Sequence, residues 1–202
     1  MTDNALHYLH FGTIMSDNFN TFINHIEPNY WRELCVKEGK LHHFERGEEF
    51  AKVGEVACYI GYVKSGSLKY VAYSPDGTEH VVGMVFEGEF VADYPFSLFG
   101  TKAMVSIIAA TPCEIHCLPV RKVIKQMEND ARVKDIVLRS AEAVFSTVYE
   151  RYINLHCKTP QQRYEELVRR HHDLFSHFSL KDIASFLNIT PIHLSRIRKK
   201  SR

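Results

Sequence analysis

The chain has 202 residues, 45% of them hydrophobic and 24% charged, with a net charge of +1. That length and apolar content support one good core and a smaller satellite, and they exclude a disordered or fibrous chain. No charged leader with an apolar core opens the sequence and no apolar run is long enough to span a bilayer, so a cytoplasmic protein without membrane contact is expected.

Met1 to Asp17 carries His7 and His10 but no clear period, and no role is assigned to it. Phe19, Phe22, Ile23 and Ile26 then recur at helical spacing, Pro28 interrupts, and Trp31, Leu34 and Cys35 resume, which predicts a short helical pair. From Lys40 to about Leu118 the texture changes to short runs of β-branched and aromatic residues: 41–44, 59–63, 67–73, 78–86, 105–110 and 114–118. Gly- and Pro-bearing turns separate them, and Asp76-Gly77 between two alternating runs is the strongest hairpin signal. Several short strands without intervening helices predict an antiparallel jelly roll. The five cysteines lack zinc or disulfide spacing, and alternation puts Cys113, Ile115 and Cys117 on a core face with His116 opposite.

After Pro119 the period becomes helical. A short turn over 120–127 leads into one long helix running to about Cys157, striped by Val133, Ile136, Val137, Ala141, Val144, Phe145, Val148, Tyr152 and Leu155. So long a stripe either clasps the barrel or pairs with a copy of itself. Thr159-Pro160 is a cap-plus-proline start for a helix over 161–172, with Tyr164, Leu167 and Val168 inward. His171, His172, Asp173 and His177 include zinc-ligand types, but adjacent histidines on a helix point in two directions, so a solvated or phosphate-facing cluster is expected.

The last two dozen residues start a helix twice. Ser179 with Asp182 forms a capping box, and Phe178 with Ile183 has staple spacing. Thr190 caps a second helix with Pro191 in its first position. Between them, Asn188 suits the left-handed residue of a tight turn, and Ala184 is small enough for a close helix crossing. This is the pattern of a helix-turn-helix. Its charge agrees: from residue 155 onward ten Lys and Arg face four Asp and Glu, a surplus of six on a chain of +1. With Leu194 and Ile197 buried, the helical period points Ile192, Ser195, Arg196 and Lys199 outward as base-contacting candidates, while Lys181, Thr190, His193, Arg198 and Lys200 are candidates for phosphate.

The order of parts, with Gly61-Tyr-Val-Lys-Ser-Gly66, Ser74-Pro-Asp-Gly77-Thr-Glu, Phe86-Glu-Gly88-Glu-Phe90, Arg163-Tyr-Glu-Glu-Leu and Asp182 to Ile197, resembles the Crp/Fnr family of bacterial transcription regulators from about residue 18 to the end. The resemblance implies an α+β chain: a β jelly-roll sensor of the cyclic-nucleotide-binding type with flanking helices (1–127), a long dimerisation helix (128–157) and a C-terminal helix-turn-helix domain (158–202). It also implies a homodimer on double-stranded DNA, contact with RNA polymerase, and no catalysis. In the dimer helix the candidates are Val137, Ala141, Val144, Phe145, Val148 and Tyr152.

The sequence departs from the family where a cyclic phosphate would be gripped. Ala92-Asp93 stands in place of the Gly-Glu pair and Ala103-Met104 in place of Arg-Ser, with Lys102 the nearest cation, so cyclic AMP is not the expected effector. The first cysteine is Cys35, so the N-terminal cysteine group of an iron-sulfur member is missing and that cluster is not expected. The barrel either senses another small molecule, expected against Phe90, Asp93, Tyr94, Phe96, Lys102 and Met104, or is purely structural, and the sequence does not choose. A metal-dependent, cupin-like jelly-roll enzyme is the alternative, prompted by His42, His43, His80 and His116, although no cupin His-x-His string occurs.

Overall fold

A computed structural model describes residues 28–94 and 96–200. The expectations for His7, His10, Phe19, Phe22, Ile23 and Ile26 lie outside the described residues.

Helix α1 (Pro28–Glu38) precedes the strands β1 (Lys40–Phe44), β2 (Glu49–Ala51), β3 (Tyr59–Ser65), β4 (Leu68–Tyr73), β5 (Glu79–Val85) and β6 (Phe90–Val91). A single helical turn α2 (Phe96–Phe99) separates these from β7 (Ser106–Ala109) and β8 (Cys113–Pro119). Every pairing is antiparallel, in two four-stranded sheets of order β1-β8-β3-β6 and β2-β7-β4-β5. Apart from the β4–β5 hairpin, consecutive strands alternate between the two sheets, as in a jelly roll, and Val63, Leu68, Val85, Val91, Ile107 and Ile115 fill the space between them.

The six predicted strands are all present. The two that were missed, β2 and β6, have three and two residues, too short for alternation to register. Cys113, Ile115 and Cys117 are buried on one face and His116 stacks on Tyr62 on the other. At the Asp76-Gly77 hairpin the Asp76 carboxylate accepts from the Ser74 hydroxyl at 2.5 Å and the Thr78 N–H at 3.1 Å, which holds its pKa down at about 2. Gly66 turns β3 into β4 at φ +89, where a Cβ would stand 2.3 Å from the Pro112 carbonyl oxygen, so no side chain fits.

The helices α3 (Val120–Asn129) and α4 (Ala131–Cys157) follow; residues 120–129 form a full helix rather than the expected turn, and Asp130 caps α4 by accepting from the Arg132 N–H. Val133 and Val137 of α4 pack with Trp31, Leu34 and Cys35 of α1 and with Leu118 and Val123. The remaining helices are α5 (Pro160–Arg170), the four-residue α6 (Leu174–His177), α7 (Leu180–Phe186) and α8 (Pro191–Lys200). Their core is continuous with the barrel: Val81, Met84 and Phe86 of the β5 edge join Leu167, Leu174, Ile183 and Leu194 in one buried cluster.

Candidate functional site: a helix-turn-helix docked on a barrel cavity

Both predicted helix starts are built as the sequence indicates. The Ser179 hydroxyl accepts from the Asp182 N–H at 3.1 Å, and the Asp182 carboxylate accepts in return from the Ser179 N–H. Thr190 Oγ1 accepts from the His193 N–H at 3.2 Å. Asn188 takes φ 54, the left-handed turn position, and Ala184 is fully buried, with its carbonyl accepting from the Ile189 N–H at 3.0 Å. These local bonds fix where α7 ends and α8 begins.

Leu194 and Ile197 bury one edge of α8, leaving Ile192 67% exposed and Ser195, Arg196 and Lys199 exposed beside it. Those four residues therefore share an open face. The Ser195 hydroxyl donates to the Pro191 carbonyl at 3.0 Å, so it keeps only its acceptor lone pairs for a partner. Lys181, Thr190, His193 and Lys200 are exposed around that face.

Three cations of the basic end are not solvated as charge counting assumes. Arg198 lies over the Phe175 ring at 4.0 Å. Lys158 pairs with Glu166 at 2.6 Å. Arg163 is buried, and its guanidinium donates to the carbonyls of Leu155, Lys158 and Leu187, tying the end of α4 to the helix-turn-helix turn; burial lowers its pKa. The positive surface facing outward is thus smaller than the surplus in the sequence.

The histidine cluster is corrected as well. His171 stacks flat on Phe86 with ring centroids 3.7 Å apart, and His177 meets the same ring edge-on while its Nε2 pairs with Asp173 at 2.8 Å. Burial pulls the His171 pKa down to about 4, so the ring packs as a neutral aromatic. Among the described residues no group of three or more His, Cys, Asp or Glu is gathered to hold a metal, and His42, His43 and His80 are exposed on the barrel exterior. Among the described residues the cupin-like alternative is therefore not favoured.

The helix-turn-helix is held on the barrel by polar contacts that the sequence did not announce. Lys69 of β4 donates to Asp182 at 2.6 Å, and the Val81 N–H donates to Ser185 Oγ at 2.9 Å. Burial opposes ionisation of Asp182, yet hydrogen bonds from Lys69 and Ser179 leave its carboxyl below the usual range. In β4 and β5 the register passes from Tyr70↔Gly83 to Val71↔Val81, so Val82 is a bulge residue whose carbonyl leaves the ladder. Arg151 of α4 donates to that carbonyl and, at 3.1 Å, to the Phe186 carbonyl at the end of α7, with its guanidinium 3.9 Å from the centre of the Phe186 ring.

Arg151 also lines a cavity of about 580 Å³ between the barrel and α4. Of the expected effector residues, Phe90, Asp93, Tyr94 and Met104 line it. Lys102 does not, being exposed beside an isolated bridge to Val56, and the Phe96 side chain lies outside the described residues. Sequence reading missed the α4 wall: Ser140, Val144, Thr147 and Arg151 recur at helical spacing on one face, but only apolar positions had been counted there. The Ser140 hydroxyl accepts from Trp31 Nε1 at 3.0 Å, fixing the only tryptophan at the cavity edge.

The dimer-helix candidates divide between two faces. Val137 is 5% exposed in the chain's own core, and Val144 faces the cavity. Leu138, Phe145 and Tyr152, seven residues apart, are exposed together with Val148, and Ala141 lies between them half-buried. This has the spacing of an a/d seam, whose Val148 and Tyr152 also border the cavity.

Residues 41–130 match the sequence model of the cyclic nucleotide-binding domain. No curated protein sequence matches the chain. Among solved structures it is similar to a regulatory protein of Silicibacter pomeroyi DSS-3, at 24% identity and TM-score 0.65 over 91% of this chain and 84% of that one. It is also similar to FixK2 of Bradyrhizobium japonicum, at 16% identity and TM-score 0.69 over 80% and 83%. A third is a transcriptional regulator of the CRP/FNR family from Thermus thermophilus, at 14% identity and TM-score 0.58 over 80% and 84%. The chain has the Crp/Fnr fold. Within the Crp/Fnr fold the exposed face of α8, the apolar seam of α4 and the barrel cavity are candidate surfaces for partners. Among the described residues no helix is long and apolar enough to cross a membrane.

Proposed function

We propose that this chain is a Crp/Fnr-type transcription regulator, not an enzyme, that binds double-stranded DNA as a homodimer in the cytoplasm. Residues 1–127 form its sensor, 128–157 its dimerisation helix and 158–202 its DNA-reading domain, and RNA polymerase is the partner through which it acts. The observation that carries this reading is the division of α8 into a buried Leu194–Ile197 edge and an open face of Ile192, Ser195, Arg196 and Lys199.

In a major groove Arg196 offers the two parallel donors that match guanine O6 and N7, Ile192 offers an apolar contact to a thymine methyl, and Ser195 an acceptor. Lys181, Lys199 and Lys200, with Thr190 and His193, surround that face where phosphates would run. The α4 seam pairs two copies so that the two α8 helices enter successive major grooves of a near-palindromic site. Cyclic AMP and an iron-sulfur cluster form no part of this reading.

Selection of bound sites from random duplex DNA, followed by anisotropy titration, tests it. A recovered two-fold site is expected, with Arg196→Ala costing about 1–3 kcal/mol and relaxing preference at one position. Equal affinity and unchanged preference in Arg196→Ala would remove α8 from base readout.

A further inference from the structure

The wall of the barrel cavity is mostly apolar, built by Trp31, Tyr70, Phe90, Leu98, Val105 and Val144. Two charged side chains reach it. Arg151 is engaged with the Val82 and Phe186 carbonyls and the Phe186 ring. Asp93 is different: it is 4% exposed, and its Oδ2 is buried without a hydrogen-bond partner among the described residues. Burial holds its carboxyl above the ordinary carboxylate range.

A buried carboxylate oxygen lacking a donor is costly, and a ligand that supplies the donor recovers that cost as affinity. An anionic ligand would instead add like charge beside Asp93, and Lys102, the nearest cation in sequence, is not on the wall. Size points the same way, since a dry apolar cavity of about 150 Å³ holds a benzene. A cavity of about 580 Å³ takes a fused-ring or branched apolar body with a polar head.

We propose that this cavity binds a small, mainly apolar molecule whose hydroxyl or amine group donates a hydrogen bond to Asp93, and that it does not take an anionic nucleotide. This deepens the sensor part of the reading above and rests on that part alone.

Calorimetric titration of the free full-length chain with a matched series tests it: 1-naphthylmethanol, 1-naphthylmethylamine, 1-methylnaphthalene, 1-naphthylacetate and cyclic AMP. The alcohol and amine are expected to bind at least about tenfold tighter than the methyl and carboxylate compounds, the ratio expected of one hydrogen bond to a charged group. Asp93→Leu should bring the alcohol and amine to within about threefold of 1-methylnaphthalene. Asp93→Asn, which keeps an acceptor, should retain the alcohol and weaken the amine. Tightest binding by 1-naphthylacetate or cyclic AMP, saturation by none of the five, or a donor preference that survives Asp93→Leu would each overturn the proposal. Because no DNA is present, failure here leaves the DNA-reading proposal standing, and failure of DNA binding leaves this result intact.

Discussion

Replacing Arg151 with Met keeps the length and apolar stem of the side chain but removes the donors that join three elements. The Val82 carbonyl, expelled from the β4–β5 ladder by the bulge, loses its Arg151 donor, and so does the Phe186 carbonyl at the end of α7. The unmet Phe186 carbonyl, part-buried, costs about 1–3 kcal/mol, the exposed Val82 carbonyl costs little because water replaces its donor, and a guanidinium over a partly desolvated ring adds about 0.5–2 kcal/mol. Desolvation of the arginine, which lowers its own pKa here, offsets part of this. A net loss of about 1–3 kcal/mol is therefore expected, with Arg151→Lys intermediate because an ammonium carries no fork of donors. Urea denaturation followed by the fluorescence of Trp31, which lines the same cavity, measures it. A midpoint for Arg151→Met that corresponds to a loss under about 0.5 kcal/mol would refute the view that Arg151 seats the helix-turn-helix on the barrel.

Along α8, Leu194→Ala should cost about 2–5 kcal/mol of stability, whereas Arg196→Ala should change stability by less than about 0.5 kcal/mol; thermal melts of the two variants check the assignment of faces. On α4, Val148→Glu should yield a stably folded monomer in sedimentation at micromolar concentration, while Val137→Ala should lower stability by roughly 1–3 kcal/mol without changing the assembly. Glu89 accepts from the Phe86 N–H, but burial pushes its carboxyl up to about 8. The folded chain then binds this proton more tightly than the unfolded chain, so its contribution is fully present below about pH 4 and is lost as pH rises toward 8. Glu89→Gln should be more stable than the parent by on the order of 1–2 kcal/mol at pH 8 and nearly equal to it at pH 4, as read from denaturation midpoints across that range.

Much of the fold was legible because its signals are local. A capping box spans four residues, a left-handed turn needs one Asn, and a hairpin needs Asp-Gly between alternating runs, so Ser179, Thr190, Asn188 and Asp76 declared the helix-turn-helix and the sharpest turn of the barrel. The face of α8 followed from the 3.6 period once Leu194 and Ile197 were taken as buried. Strands of two or three residues carry no period, which is why β2 and β6 escaped.

The sequence alone determined the six longer strands and the helices α1, α4, α5, α7 and α8, and that the last helix is amphipathic with a basic outer face. Tertiary structure alone decided what each long side chain meets. The apolar stripe of α4 is broad enough to serve the barrel and a second copy, and only packing with Trp31 and Leu34 assigns Val137 inward and leaves Phe145 at 68% exposure. Arg163, Arg198 and Arg151 count equally as positive charges in composition, yet one is buried among carbonyls, one lies on Phe175, and one closes the cavity onto α7. The Arg151 partners lie 69 and 35 residues away in the chain. Periodicity and capping act over one or two helical turns, whereas the fate of a charge depends on which distant carbonyls and rings the folded chain brings beside it.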